Sequence, residues 1–206
     1  MPFDGDRQSS YLGAYNDLCI LLASMNFDLL ITHGTLLGFY RDGQMIPYDD
    51  DFDVFYISKY CNITDILFER MDLMNQLRSK FKVFISPTGN IKVVSKKHGV
   101  TLDLMTAWYN DSDSTFNIGG YSSYNCKLDD VYPFHSLFTL GFELKCVNNI
   151  VLFLENEYGS GWSFPNPSYT YIINERSLKN RVLLRPSDNE VSEFGSIALK
   201  RKRNIL

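Results

Sequence analysis

The sequence predicts an α+β fold, a small mixed β-sheet flanked by helices. Three observations carry that expectation. Residues 10–25 and 64–79 repeat their apolar side chains at the helical period. Short apolar or alternating runs at 27–32, 54–57, 81–85, 91–95, 100–105 and 142–147 read as strands. The order helix, strand, helical turn, strand, helix, strands then mixes the two kinds of element around one sheet.

The first helix carries its apolar stripe on Tyr11, Ala14, Tyr15, Leu18, Leu21, Leu22 and Met25. Phe27 to Thr32 is a strand, Gly34 to Tyr40 a short helical turn, and Asp42-Gly43 a turn signal. The acid-rich residues 49–53 lead into a strand, Val54 to Ile57. The second helix places Ile66, Leu67, Arg70, Leu73, Met74 and Leu77 on one side, with Thr64 as its N-cap. Phe81 to Ile85 turns at Pro87 to Asn90 into its hairpin partner, Ile91 to Ser95. The chain turns again at Lys97-His98-Gly99 into a strand from Val100 to Met105. Residues 110–130, centred on Gly119-Gly120, suit a loop or small hairpin. Phe142 to Val147 is a strand, and Asn148 or Asn149 caps a helix that runs to Tyr158 and stops at Gly159. Residues 161–167 hold two prolines and are irregular. Ser187 and Glu190 form a capping-box pattern before Val191, Phe194 and Ile197. With no internal repeat and no linker, 1–206 reads as a single domain, and 168–206 as its C-terminal extension.

Composition narrows the function. The chain is 45% apolar and 21% charged, which excludes collagen-like, low-complexity and wholly disordered chains. Acidic side chains outnumber basic ones 24 to 20, so a nucleic-acid partner is not expected. No stretch reaches the ~20 apolar residues of a transmembrane segment. The first ten residues lack the apolar region of a secretory signal. The four cysteines form no C-x-x-C pair and the three histidines no zinc spacing. Separate thiols in a cytoplasmic location are therefore expected. A lumenal Golgi or ER site is the alternative, for which the sequons at Asn62 and Asn110 are weak support. The basic run Lys200 to Arg203 reads as a solvated end.

The chemistry concentrates in Thr32-His33-Gly34-Thr35-Leu36-Leu37-Gly38, Arg41 and Ile46-Pro47-Tyr48-Asp49-Asp50-Asp51-Phe52-Asp53. On a strand spanning 51–57, Asp51 and Asp53 point the same way. Two such carboxylates repel unless a cation joins them, and hard oxygen ligands suit Mg²⁺ or Mn²⁺. Asp103, flanked by leucines in an apolar strand, is a third acid that needs a partner. Gly34 and Thr35 stand where a strand hands over to a helix, a place that favours phosphate. Arg41 is a permanent cation able to grip phosphate or to pair with the acids. Asp49 and Asp50 read as supporting or capping groups, His33 as a hydrogen-bonded structural histidine, and Tyr158 and Trp162 as packing.

Gly-Thr, a D-x-D pair and a later strand aspartate resemble the nucleotidyltransferase superfamily, the DNA-polymerase-β-like fold. The stretch GTLLGFYRDGQMIPYDDDFDV is more closely similar to the signature of the LicD/fukutin family. A second block, from Phe142 through Leu154, Glu155, Tyr158 and Gly159 to Trp162 and Pro165, resembles the family's later stretch. Tyr48 stands where Trp is usual, Phe52 where Ile or Val is usual, and Val147 where many members have Pro.

The resemblance implies a phosphotransferase of glycan modification. Its members move a phospho-group, phosphocholine- or alditol-phosphate-like, from a CDP-activated donor to a sugar hydroxyl of a glycan or glycoconjugate acceptor. In that reading Asp51 and Asp53 hold the metal, and Asp103 either completes its ligand set or accepts the hydroxyl proton. Gly34, Thr35 and Arg41 contact the donor phosphates. Two other functions fit the same fold: an NTP-using nucleotidyltransferase acting on a small molecule, protein or RNA, and a non-catalytic nucleotide- or glycan-binding member.

Overall fold

A computed structural model describes residues 5–47, 49–166 and 168–184. Tyr48, the expected helix after Ser187 and the basic run Lys200 to Arg203 lie outside the described residues. In chain order the elements are α1 (Gly5–Ala23), β1 (Leu30–Ile31), α2 (His33–Asp42), β2 (Asp53–Ile57) and α3 (Ile63–Leu77). Next come β3 (Lys82–Ile85), β4 (Ile91–Ser95), β5 (Val100–Asn110), β6 (Thr115–Ile118), β7 (Ser122–Asn125) and α4 (Leu128–Val131). The remainder are β8 (His135–Thr139), β9 (Phe142–Cys146), α5 (Ile150–Tyr158) and α6 (Glu175–Leu183).

The sheet is mixed, as expected, but among the described residues it gathers nine strands rather than a few. Its main path runs β3-β4-β5-β2-β1-β9-β8, with β6 on β5 and β7 on β6. The spine is β5, an uninterrupted run rich in β-branched, aromatic and aliphatic residues that extends past Met105 to Asn110. One edge of β5 pairs first with β4 and further along with β6, both antiparallel. The other edge pairs with β2 in parallel. The expected hairpin within 110–130 is β6–β7.

The helix α1 covers one face of this sheet. Its Leu12, Ala14, Tyr15, Leu18 and Leu22 are buried. Phe52 stacks on Tyr11 at 5.5 Å and tilts against Tyr15 at 5.9 Å. Burying one such aromatic contributes about 1.5–3 kcal/mol. The Tyr15 hydroxyl donates to the Leu29 carbonyl at 3.0 Å and accepts the Lys145 N–H at 3.2 Å, tying α1 to the lead-in of β1 and to β9. The Phe52 carbonyl accepts the Asp103 N–H at 3.0 Å, so the ladder already reaches Phe52, and Asp53 next to it points away from α1. Among the described residues, no helix is long and apolar enough to cross a membrane.

Three local expectations are corrected. The second helix starts at Ile63, and its cap is Asn62, not Thr64: the Asn62 side chain accepts the Asp65 N–H at 3.0 Å. The strand expected from Phe27 shrinks to Leu30–Ile31, because the first helix ends in a turn through Asn26. The strand containing the acids begins at Asp53, so Asp51 precedes it and strand alternation does not orient Asp51. Asn149 caps α5 by accepting the Leu152 N–H at 3.1 Å, and Gly159 ends it at φ 78°, both as the sequence suggested.

Candidate active site

The site is built where β1 hands over to α2. β1 lies antiparallel to β2, with Leu30 opposite Phe55 and Ile31 opposite Val54. The ladder's last rung is the Thr32 N–H on the Asp53 carbonyl at 3.1 Å. The chain then turns sharply at His33, φ 43°, and begins α2. A non-glycine residue in that region is strained by roughly 1–3 kcal/mol. The turn brings the first turn of α2 back onto β2, and the buried Thr35 Oγ1 accepts the Asp53 N–H at 2.7 Å. Gly34 leaves room for the acids. A Cβ there would lie 2.7 Å from Asp49 Oδ2 and 3.9 Å from Asp53 Oδ2.

Strand register completes the arrangement. Asp53 on β2 is the partner of Asp103 on β5, and Asp103 is the partner of Lys92 on β4. Residues side by side in a sheet project to the same face, so Lys92, Asp103 and Asp53 form a row across three strands. The Lys92 ammonium sits 2.5 Å from the Asp103 carboxylate. Asp49, Asp50 and Asp51 offer oxygens within 4.8 Å of one another, and the Asp49 carboxylate accepts the Asp51 N–H at 3.3 Å.

The electrostatics follow from that crowding. Burial pushes the Asp53 carboxyl well above the usual carboxylate range, and the charges of Asp103, Asp51 and Asp49 push it further, with Lys92 opposing. Burial also raises Asp103, against the pull of Lys92, while Asp51 adds to the rise and the Asn90 amide opposes it. Asp49 is raised by burial, in spite of the Asp51 N–H it accepts. Lys92 is pulled down by burial, but its pairing with Asp103 prevails and holds it above its ordinary value. The register thus sets Asp53 beside Asp103, while Asp51 lies with Asp49 and Asp50 in the segment just before β2.

The other candidate residues are placed as follows. Gly34 and Thr35 stand at the start of α2 against Asp53. Arg41 lies at the far end of α2, chelates Asp42 through Nε at 2.9 Å and Nη2 at 2.7 Å, and reaches the Trp162 carbonyl at 3.4 Å. It is not brought onto the acids. His33 is buried between Thr32 Oγ1 at 3.0 Å, Ser122 Oγ at 2.9 Å and Glu157 at 3.5 Å, and burial lowers its pKa against the pull of Glu157. Tyr158 is held well above the ordinary tyrosine value by burial and by the charges of Glu157 and Asp53. Sequence reading missed Lys92, Asn90 and Glu157. For Lys92 a signal existed: counting outward from the turn at Lys97-His98-Gly99, the hairpin register pairs residue 92 with residue 103.

Residues 26–149 match the family described as LicD/FKTN/FKRP, nucleotidyltransferase domain. The chain belongs to that family. The match covers more than half of this LicD-family chain, from before β1 through β9, and every acid of the site lies inside it. It makes the fold that of a nucleotidyltransferase domain and the chain a member of a transferase family. No curated protein matches the chain. Among solved structures it is similar to the antibiotic-resistance factor ANT(2'')-Ia in solution, at 13% identity and a TM-score of 0.49 over 96% of this chain and 93% of that one. The same factor in complex with adenylyl-2''-tobramycin gives 13% and 0.49 over 94% and 99%. A STING-associated CdnE c-di-GMP synthase from Capnocytophaga granulosa gives 16% and 0.44, covering 57% of this chain and 40% of the synthase. Likenesses this distant say nothing of substrate.

Proposed function

We propose that this chain is a divalent-metal-dependent phosphotransferase that moves a phospho-group from a CDP-activated donor to a sugar hydroxyl of a glycan. What supports the reading is the pairing of Asp53 with Asp103 across β2 and β5, with Asp49 and Asp53 beside Gly34 at the start of α2, within a LicD-family domain. The donor set suits the ion: carboxylate oxygens are hard ligands, and Lys92 is the cation that bears on Asp53 against three neighbouring acids. Asp51, Asp53 and Asp103 would hold Mg²⁺ or Mn²⁺. When bound, such an ion neutralises charge on the donor's phosphate oxygens.

The remaining work falls to the chain. Thr35 fixes the Asp53 backbone, and its own O–H stays available to donate to a phosphate oxygen. Gly34 keeps the entrance to α2 open for the donor beside the carboxylates. The acceptor hydroxyl attacks the phosphorus that bears the transferred group; a new P–O bond forms, the bond to the bridging oxygen breaks, and CMP leaves. Asp103 either completes the ligand set or takes the hydroxyl proton. Arg41, occupied by Asp42, belongs to the rim and reaches a phosphate only after leaving that pair.

The test incubates the protein with CDP-linked donors, a glycan acceptor and Mn²⁺, and follows CMP. CMP release that Asp53→Ala abolishes supports the reading. Pyrophosphate from an NTP with no CMP from any donor replaces it with nucleotidyl transfer.

A further inference from the structure

We infer that Lys92 is an internal counter-ion that occupies the place of a divalent cation at Asp103 and leaves it for the donor phosphate when the metal binds. The inference rests on the metal-site reading above and adds a residue that the sequence motif does not contain. Its basis is the row Lys92–Asp103–Asp53 across β4, β5 and β2. In this row the ammonium lies at 2.5 Å from Asp103, a carboxylate that is 9% exposed.

Two facts make Lys92 a movable charge rather than a fixed strut. Its side chain is 27% exposed, three times the exposure of its partner, so the ammonium has a path to solvent. Lysine carries a compact charge on a flexible four-carbon stem, with none of the geometric lock of a bidentate arginine pair. The need to move comes from the acids. A divalent ion shared by Asp53 and Asp103 requires Asp103 oxygens that Lys92 now holds, and the two cations repel at that distance. Once displaced, the ammonium stays on the border of the site. A phosphate arriving beside the metal would meet it there, so Lys92 opposes the metal when the donor is absent and favours the donor when the metal is present.

This gives a sign reversal that a structural role does not produce. Mn²⁺ binding to the full chain is followed by the loss of the free-ion electron paramagnetic resonance signal, without nucleotide, for wild type, Lys92→Met, Lys92→Arg and Asp53→Asn. Thermal melts establish folding, and Lys92→Gln replaces Lys92→Met if the latter does not fold. Lys92→Met should bind Mn²⁺ roughly tenfold more tightly than wild type, the gain from removing one close repulsion in a partly solvated site. Lys92→Arg, which keeps the charge and can lock Asp103 in a bidentate pair, should bind Mn²⁺ no more tightly than wild type. At saturating Mn²⁺, CDP should bind Lys92→Met more weakly than wild type. A folded Lys92→Met with unchanged or weaker Mn²⁺ affinity overturns the counter-ion role while leaving the metal site standing, provided wild type binds Mn²⁺ and Asp53→Asn does not. Absence of Mn²⁺ binding in wild type removes the metal reading and the inference together.

Discussion

Thr35 links the backbone of one strand to the first turn of a helix through a single hydroxyl. The β1–β2 ladder stops at Thr32, so the Asp53 N–H has no strand partner on that side and finds Thr35 Oγ1 at 2.7 Å instead. Thr35 is 2% exposed, so water does not replace that oxygen. Thr35→Val keeps the shape and deletes the acceptor. It should cost about 1–3 kcal/mol, the penalty of a buried, unpaired donor. Thr35→Ser, which retains the hydroxyl, should recover most of that loss. Urea denaturation of the three proteins measures it, and a valine variant as stable as wild type would deny the hydroxyl its structural role. The loss should extend beyond stability: an Asp53 free to shift at its backbone holds its carboxylate less firmly over the neighbouring acids.

At the scale of elements, the joint between β1 and α2 decides the site, and His33 is its strained member. Burial holds His33 neutral, with its folded pKa below the ordinary value of about 6.5. The unfolded chain therefore binds the proton more readily. The stability that neutral His33 contributes is complete above about pH 6.5 and is lost as pH falls from there through the depressed folded value. Asparagine tolerates positive φ and does not titrate in this range. Thermal melts of wild type and His33→Asn between pH 8 and 5 should therefore diverge, with wild type losing more stability on the acid side; parallel curves would exclude His33 as the cause. This joint was legible in the sequence because Gly34, Thr35 and the acids repeat a motif. Their convergence was legible only in part. Asp103 stands out in the sequence as an acid in an apolar strand, whereas Lys92 belongs to no motif and stands among other lysines of the hairpin segment. The shared face of Asp51 and Asp53 requires a strand from 51 to 57, whereas β2 begins at Asp53: periodicity gives the face but not the first residue of a strand. The β8–β9 hairpin escaped because its turn, Leu140-Gly141 at φ 47° and 82°, puts a leucine where Asn or Asp is the usual signal. The helix α6 escaped because its sequence, ERSLKNRVL, is polar and shows no broad apolar stripe; it is held by side-chain bonds such as Asn180 to Asn117 at 2.9 Å and Arg176 to Thr115 at 3.0 Å.

For the whole molecule, the consequence of the acid cluster is a stability set aside for ligand binding. The net charge is −4, and a local excess of carboxylates over Lys92 sits on one face of the sheet. A carboxyl whose folded pKa is raised stabilises the fold when protonated and destabilises it as pH rises through that value, so at neutral pH the site works against folding. Removing one of these charges should strengthen the metal-free protein. Asp53→Asn is therefore expected to melt higher than wild type at pH 7 without divalent ions, because it removes a buried carboxylate that neighbouring acids repel. For a chain of this size each kcal/mol is worth about 2–4 °C. Mn²⁺ should raise the wild-type melting temperature by binding the folded state alone, and should leave Asp53→Asn nearly unmoved. The two variants also separate by pH: the His33 contribution disappears on the acid side, whereas the Asp53 penalty is relieved there. An Asp53→Asn protein that melts below wild type at pH 7, or that still gains stability from Mn²⁺ as wild type does, would mean that the carboxylates are satisfied within the fold and hold no cation between them.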